Sequence, residues 1–183
     1  MSEVPAASPF DFAAVTLAAC QAVLRQLTAD DLSRPTPCAQ YTVGEVGGHV
    51  VRSMVLLASV ADEQVDTPAA GPLEEQVAVT AEAALAAWQR RGLDGTAAVG
   101  RSILPASLAV EIIPLELLVH GWDIAQATGR QIDVPPEIAG YVLDQARQLV
   151  TEDKRGRSFA AEVPAGPQAT ALQRLIAFTG RMP

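Results

Sequence analysis

The segment LAVEIIPLELLVHGWDIAQATG, residues Leu108 to Gly129, carries most of the fold prediction for this chain. It is apolar on nearly every side, which is typical of a helix that runs through the middle of a bundle. Within it, Glu116, His120 and Asp123 are spaced by four and then three residues, so their side chains share one stripe of the helix. Because a buried carboxylate needs a counter-charge, this stripe predicts a bound cation, a basic residue from another helix, or a water-lined cleft.

The composition is typical of one soluble, acidic domain spanning residues 1–183. Hydrophobic residues make up 49% of the chain, enough for a core that needs no disulfide or structural metal. The net charge is −8 and the sequence pI is about 4.7, with no cluster of Lys and Arg, so we expect no nucleic-acid partner. The N-terminus is acidic rather than basic and no uninterrupted apolar run reaches the length of a membrane span, so we expect a cytoplasmic protein without a membrane partner.

Capping signals and apolar periodicity predict an all-α fold, a four-helix bundle with additional short helices. The stretch Gly92 to Gly100 is predicted to be a loop, and Lys154 to Ser158 a polar segment. The central segment is predicted to be a single helix that opens at Pro105, kinks at Pro114 and ends at Gly129. The other predicted helices are Ser8 to about Leu27, Thr42 to about Ala61, Leu73 to Arg90, Glu137 to about Thr151, and Ala169 to Phe178.

Three glycines, Gly44, Gly47 and Gly48, lie within the first turns of the second helix, directly before His49. Each weakens a helix interior by up to about 1 kcal/mol relative to Ala. The pattern therefore predicts close approach of a neighbouring backbone or of a ligand at this place.

The chain has two histidines, and each follows a glutamate by four residues, in the pairs Glu45/His49 and Glu116/His120. Two imidazoles and one carboxylate on neighbouring bundle helices can bind zinc or a similar ion and leave positions open for water or a ligand. A capping box with Thr42 also explains Glu45, and an ordinary core histidine also explains His49, so spacing alone leaves both interpretations open. Asp123 is placed to act as a hydrogen-bond partner of a ligand or as a general base.

Three segments carry a resemblance to a known family: PTPCAQYTVGEVGGHVV (Pro35 to Val51), LELLVHGWDIAQATGR (Leu115 to Arg130) and LIAFTGRMP (Leu175 to Pro183). They resemble the DinB-like superfamily, and more closely the actinobacterial branch related to the N-terminal domain of mycothiol-dependent maleylpyruvate isomerase. Within that branch they are similar to an uncharacterised family with a Gly-Arg-x-Pro tail. The resemblance covers nearly the whole chain.

This resemblance implies a metal held by His49, Glu116 and His120, with zinc expected and nickel or another first-row ion as alternatives. It also implies mycothiol as a cosubstrate. Tyr41 replaces a Trp that is frequent in the family. The isomerase's separate C-terminal domain, which helps to build its substrate site, has no counterpart in this sequence, so maleylpyruvate isomerisation itself is not expected.

Three functions remain open. A metal-bound thiol could attack a small electrophile in a transfer or isomerisation with Asp123 as the catalytic residue, and the same ligands with a bound water could support hydrolysis. The third is a non-catalytic bundle that binds a metal or a small ligand.

The mean hydropathy of +0.20 favours a homodimer. Cys20 is predicted to be a core residue, Cys38 a turn-packing residue or a redox-sensitive thiol near the pocket, and Arg181 to fold back onto the body.

Overall fold

The computed structural model describes residues 8–38, 41–67, 70–156 and 158–183. Its bundle is formed by four helices that pack in a ring, in which the first helix of the bundle contacts the third and the fourth, and the second helix contacts the same two. The mostly helical architecture confirms the all-α prediction. The bundle helices are α1 (Pro9–Leu24), α2 (Val43–Val60), α3 (Leu73–Arg91) and α5 (Ile112–Ala127).

Shorter elements complete the domain. Helix α6 packs against α7 and also against α5 and α1, so the C-terminal part of the chain covers one side of the central helix. The additional helices are α4 (Ala106–Ala109), α6 (Pro136–Leu149), α7 (Ala171–Phe178) and the 3₁₀ helices Ala29–Ser33 and Glu152–Lys154.

The prediction of a loop from Gly92 to Gly100 is wrong for the second half of this stretch, because a small antiparallel hairpin begins there. Strand β1 (Thr96–Val99) pairs with β2 (Ser102–Pro105). Gly95 and Gly100 have φ angles of 72° and 58°, which glycine adopts readily and which turn the chain at each end of β1. A strand of four residues contains too few alternations to be recognised from periodicity.

The central segment forms two helices, so the prediction of a single helix kinked at Pro114 is wrong. Helix α4 ends at Ala109 and α5 begins at Ile112. Pro114 accounts for the break, because a proline ring collides with the carbonyl four residues earlier, here that of Val110. Gly129, with a φ of 67°, follows the end of α5 as predicted.

The predicted close approaches to α2 are present, and its N-cap is Thr42, which forms a capping box with Glu45. A Cβ added to Gly44 would lie 3.3 Å from the backbone oxygen of Leu32, and one on Gly47 would lie 2.2 Å from the Leu73 side chain. The glycines therefore let α2 pack tightly on the first 3₁₀ helix and on the start of α3.

Among the described residues, α2 alone is long and apolar enough to cross a membrane by length and composition. Of its residues, 44% are buried, and they include Val50, Val51 and Met54 of the core. A buried core helix meets the same criterion, so this single helix is weak support for a membrane span.

Candidate metal centre

The predicted ligands converge where α2 passes α5. His49 is on the second turn of α2, and its Nε2 lies 3.1 Å from Oε2 of Glu116 on α5. Nε2 of His120, one turn further along α5, lies 3.7 Å from the same oxygen. The ligand atoms of the three residues all lie within 4.8 Å of one another, so the fold brings the predicted set together.

The carboxylate of Glu116 has an unusual environment. Its Oε2 is buried, and none of the residues that the structure describes donates a hydrogen bond of normal geometry to it, although His49 lies at ion-pair distance. Burial acts to raise the pKa of this carboxyl, but the His49 imidazole and the charges of both histidines outweigh it and hold the pKa at about 2. Glu116 in turn raises the pKa of His49, against the effect of partial burial. This oxygen is therefore a charged acceptor that is poorly satisfied by the protein alone.

These residues fit a divalent cation. Ligands placed tetrahedrally at about 2.1 Å from zinc are separated by roughly 3.4 Å, and the two nitrogen-to-oxygen distances here are 3.1 and 3.7 Å. Two imidazoles and one carboxylate are donors that zinc and other first-row ions accept. A cation between them would also neutralise the buried Glu116 oxygen.

Asp123 lies behind the ligand set and is completely buried. His120 Nδ1 lies 2.9 Å from its Oδ2, while Arg181 donates from Nε to Oδ1 at 2.7 Å and from its NH2 group to Oδ2 at 2.8 Å. Since both carboxylate oxygens accept from Arg181, Nδ1 of His120 must be the donor in its bond to Asp123. This tautomer leaves Nε2 with the lone pair that metal ligation requires.

Cys38 belongs to a second close group, in which its sulfur, His120 and Asp123 offer atoms within 4.8 Å of one another. Nδ1 of His120 and Oδ2 of Asp123 are already hydrogen-bonded to each other, and Oδ2 also accepts from Arg181, so this group is the weaker candidate for a metal. Burial, and then the charge of Asp123, raises the pKa of the Cys38 thiol. Cys20 is a buried core residue, as predicted, and burial raises its pKa to about 12.

A cavity of about 360 Å³ gives access to the candidate ligands, and the side chain of His49 is 40% exposed. A small molecule could therefore reach the site. The lining residues are Cys38, Tyr41, His49, Leu115, Glu116, Val119, His120, Ser158, Phe159 and Arg181.

Sequence reasoning missed part of this site. Arg181 was expected to return to the body, but no pattern indicated its bidentate contact with Asp123. The contact depends on a close approach at Gly180, which has a φ of 85° and where a Cβ would lie 2.6 Å from Ala160. Ser158, at the end of the segment predicted only to be polar, and Phe159, directly after it, also line the cavity, and no sequence signal pointed to either.

Comparison with known proteins places the chain in a family. The family described as mycothiol maleylpyruvate isomerase N-terminal domain matches residues 14–125. Uncharacterized proteins from two strains of Mycobacterium tuberculosis are 33% identical over 172 residues, covering 87% of this chain and 90% of each relative. No solved structure matches the chain significantly. The match spans more than half of the chain and confirms the predicted relationship, and the protein therefore belongs to the family of the mycothiol maleylpyruvate isomerase N-terminal domain.

Proposed function

We propose that this protein is a cytoplasmic, divalent-metal-dependent enzyme that uses mycothiol as a nucleophile toward a small electrophile. One observation carries the proposal: the buried, hydrogen-bond-deficient Oε2 of Glu116 faces the Nε2 atoms of both histidines. The family membership supports a link to mycothiol chemistry. When bound, a divalent ion supplies the positive charge that keeps a coordinated thiol in its reactive thiolate form at neutral pH.

The residues of the site have distinct tasks in this proposal. His49, Glu116 and His120 hold the ion, and zinc is the first choice for this mixture of nitrogen and oxygen ligands, with nickel or another first-row ion as alternatives. Asp123 keeps the proton of His120 on Nδ1 and fixes the orientation of the ring. Its burial behind His120 favours this positioning role over that of a general base.

The two Glu-x-x-x-His pairs provide a matched test. Glu116→Gln removes the charge of the proposed ligand, whereas Glu45→Gln removes the same charge from a side chain that caps α2 and that Gln can replace. Metal analysis of the purified protein and zinc titration should show one ion per chain for wild type and for Glu45→Gln, and strongly weakened binding for Glu116→Gln. Equal zinc affinity in both variants would contradict the assignment.

A second measurement distinguishes thiol chemistry from the other functions. Mycothiol binding that requires the bound metal supports the proposal, while turnover of an electrophile without added thiol indicates a hydrolase. A metal-loaded protein that binds neither mycothiol nor substrate is a non-catalytic bundle.

We also propose a homodimer, which light scattering at micromolar concentration tests directly, since a monomeric mass would exclude it.

A further inference from the structure

A second cavity continues from the candidate metal centre along the bundle. It has a volume of about 290 Å³, close to the lower end of the range for small-molecule sites, roughly 300–1,000 Å³. Four of its lining residues, Leu115, Glu116, Ser158 and Phe159, also line the cavity at the metal centre. The two cavities therefore adjoin each other at these four residues, one of which is the candidate ligand Glu116. We call the second one the acceptor cavity.

The helical period explains why the acceptor cavity adjoins the ligands. On α2, Ser53 follows His49 by one turn and Leu56 and Leu57 follow by two, so all four lie along one stripe. On α5, Ile112 precedes Glu116 by one turn. The stripes that carry the candidate ligands at one end therefore carry mostly apolar side chains at the other, and these side chains line the cavity.

The lining determines the chemistry of an occupant. Most of it consists of aliphatic or aromatic side chains, namely Leu56, Leu57, Val99, Ile112, Leu149 and Phe159. The polar lining residues are Ser53, Glu116, Lys154 and Ser158. The Lys154 ammonium donates to the carbonyl oxygen of Leu149 at 2.5 Å, and Ser53 Oγ lies 3.5 Å from His49 Nε2. A hydrocarbon body gains by leaving water for such a surface, whereas a polar body of equal length loses hydrogen bonds there.

We infer that the acceptor cavity binds the electrophilic cosubstrate, and that this molecule has an apolar hydrocarbon body with its reactive end at Glu116. The identity of the attacking thiol rests on the proposed function, but the binding of an apolar body to this cavity does not.

Two unreactive probes of similar length test the inference: hexanamide, with an apolar body, and succinamide, which is polar at both ends. In NMR titrations the full-length protein should bind hexanamide and show no saturable binding of succinamide. Val99→Phe places a ring in the cavity and should raise the hexanamide Kd at least tenfold. Val79→Phe, the same change at a position of α3 that is 48% exposed, should leave the Kd unchanged.

Because Val99 is close to the hairpin turn, a second variant guards against a folding defect. Leu56 is 51% exposed, so Leu56→Gln should fold normally and still weaken hexanamide binding severalfold. The control variant Leu32→Gln should leave the hexanamide Kd unchanged. Equal Kd values for Val99→Phe, Leu56→Gln and wild type, or succinamide binding as tight as that of hexanamide, would overturn the inference.

Running the titrations with metal-free and zinc-loaded protein separates this inference from the proposed function. If the protein binds hexanamide, the Val99→Phe and Leu56→Gln variants weaken this binding, and the protein does not bind zinc, then the acceptor cavity is supported and the metal centre is overturned. If the protein binds zinc, the Glu116→Gln variant weakens this binding, and the protein does not bind hexanamide, then only the acceptor cavity is overturned.

Discussion

Arg181 and Asp123 form a buried, bidentate ion pair that joins the C-terminal segment to the central helix. The Arg181 side chain is 9% exposed and that of Asp123 is 0% exposed, with a distance of 2.7 Å between Nε and Oδ1. Burial acts to lower the pKa of Arg181, but its bonds to Asp123 outweigh this effect and raise the pKa. The last residues of the chain therefore hold in place the carboxylate that orients His120.

Arg181→Ala should destabilise the protein strongly, because it leaves the Asp123 carboxylate buried without its counter-charge. Breaking a buried ion pair in this way costs about 3–5 kcal/mol. Urea denaturation followed by circular dichroism measures the loss. Arg174→Ala is the control, since Arg174 on α7 is exposed and donates hydrogen bonds to the backbone oxygens of Ala169 and Pro167. A loss below about 1 kcal/mol, the range of exposed pairs, would show that the Arg181 contact contributes little.

Asp123→Asn should lower zinc affinity by roughly 10–100-fold, the usual effect of removing the hydrogen-bond partner of a histidine ligand. The amide keeps the volume but can present its NH2 group to His120 Nδ1, which disfavours the required tautomer. Competition with a chelator measures the affinity. A positioning role leaves the shape of the pH–rate profile unchanged, whereas a general-base role removes its ascending limb.

Zinc binding should release a proton at pH values below the pKa of His49, which Glu116 raises above its usual value of 6.5 in the metal-free protein. Below this raised pKa the ion must displace the proton from the imidazole, so the affinity should fall by about tenfold per pH unit for one proton. Above it the affinity should level off. Calorimetry in two buffers with different ionisation enthalpies counts the released protons. Constant affinity between about pH 6 and pH 8 would argue against His49 as a ligand.

Glu111→Gln should stabilise the protein at neutral pH. Glu111 is 2% exposed. Tyr141 donates to its Oε1, while its Oε2 is buried and has no hydrogen-bond partner in the described part of the chain. Burial raises its pKa from 4.5 to about 6, although the Tyr141 bond acts to lower it. The folded state thus holds a proton that the unfolded chain loses between these two values, so its stability falls as pH rises through that window.

The gain from Glu111→Gln should be on the order of 1 kcal/mol at pH 7 and disappear near pH 4, where both states are protonated. Thermal unfolding at the two pH values is sufficient to test this. Glu137→Gln serves as the control because Glu137 is exposed in the first turn of α6. An equal effect of Glu111→Gln at both pH values would exclude ionisation as its cause.

Gly121→Ala should destabilise the fold by about 1–3 kcal/mol, the usual effect of overpacking a core. A Cβ there would lie 2.8 Å from Ile132 Cδ1 and 3.4 Å from the Cys20 side chain, where α1 packs on α5. Gly140→Ala on α6 is the matched control, since no atom of residues 8–38, 41–67, 70–156 and 158–183 lies within 4 Å of its Cβ position and alanine favours a helix by up to about 1 kcal/mol. Opposite signs in chemical denaturation are expected, and equal effects would contradict the packing argument.

The sequence by itself determined the features that depend on neighbours along the chain. The caps at Ser8 and Thr42 and the terminating Gly129 follow from backbone groups that a local side chain satisfies or a local conformation requires. The stripe of Glu116, His120 and Asp123 follows from the helical period alone. Pro114 predicted a disturbance of the central helix, but whether the helix bends or breaks depends on what packs around Val110 and Glu111.

Only the tertiary structure decided which residues complete the site. Arg181 meets Asp123 across 58 positions of the chain. The contact between His49 on α2 and Glu116 on α5 could be expected from the family resemblance, but not from the spacing of these residues alone. No local pattern encodes such a contact, because it depends on the angle and depth at which whole helices pack. A buried carboxylate such as Asp123 requires a partner wherever it lies, so the sequence could predict the need for a partner. The packing of the last helix and its tail selected Arg181 for that position.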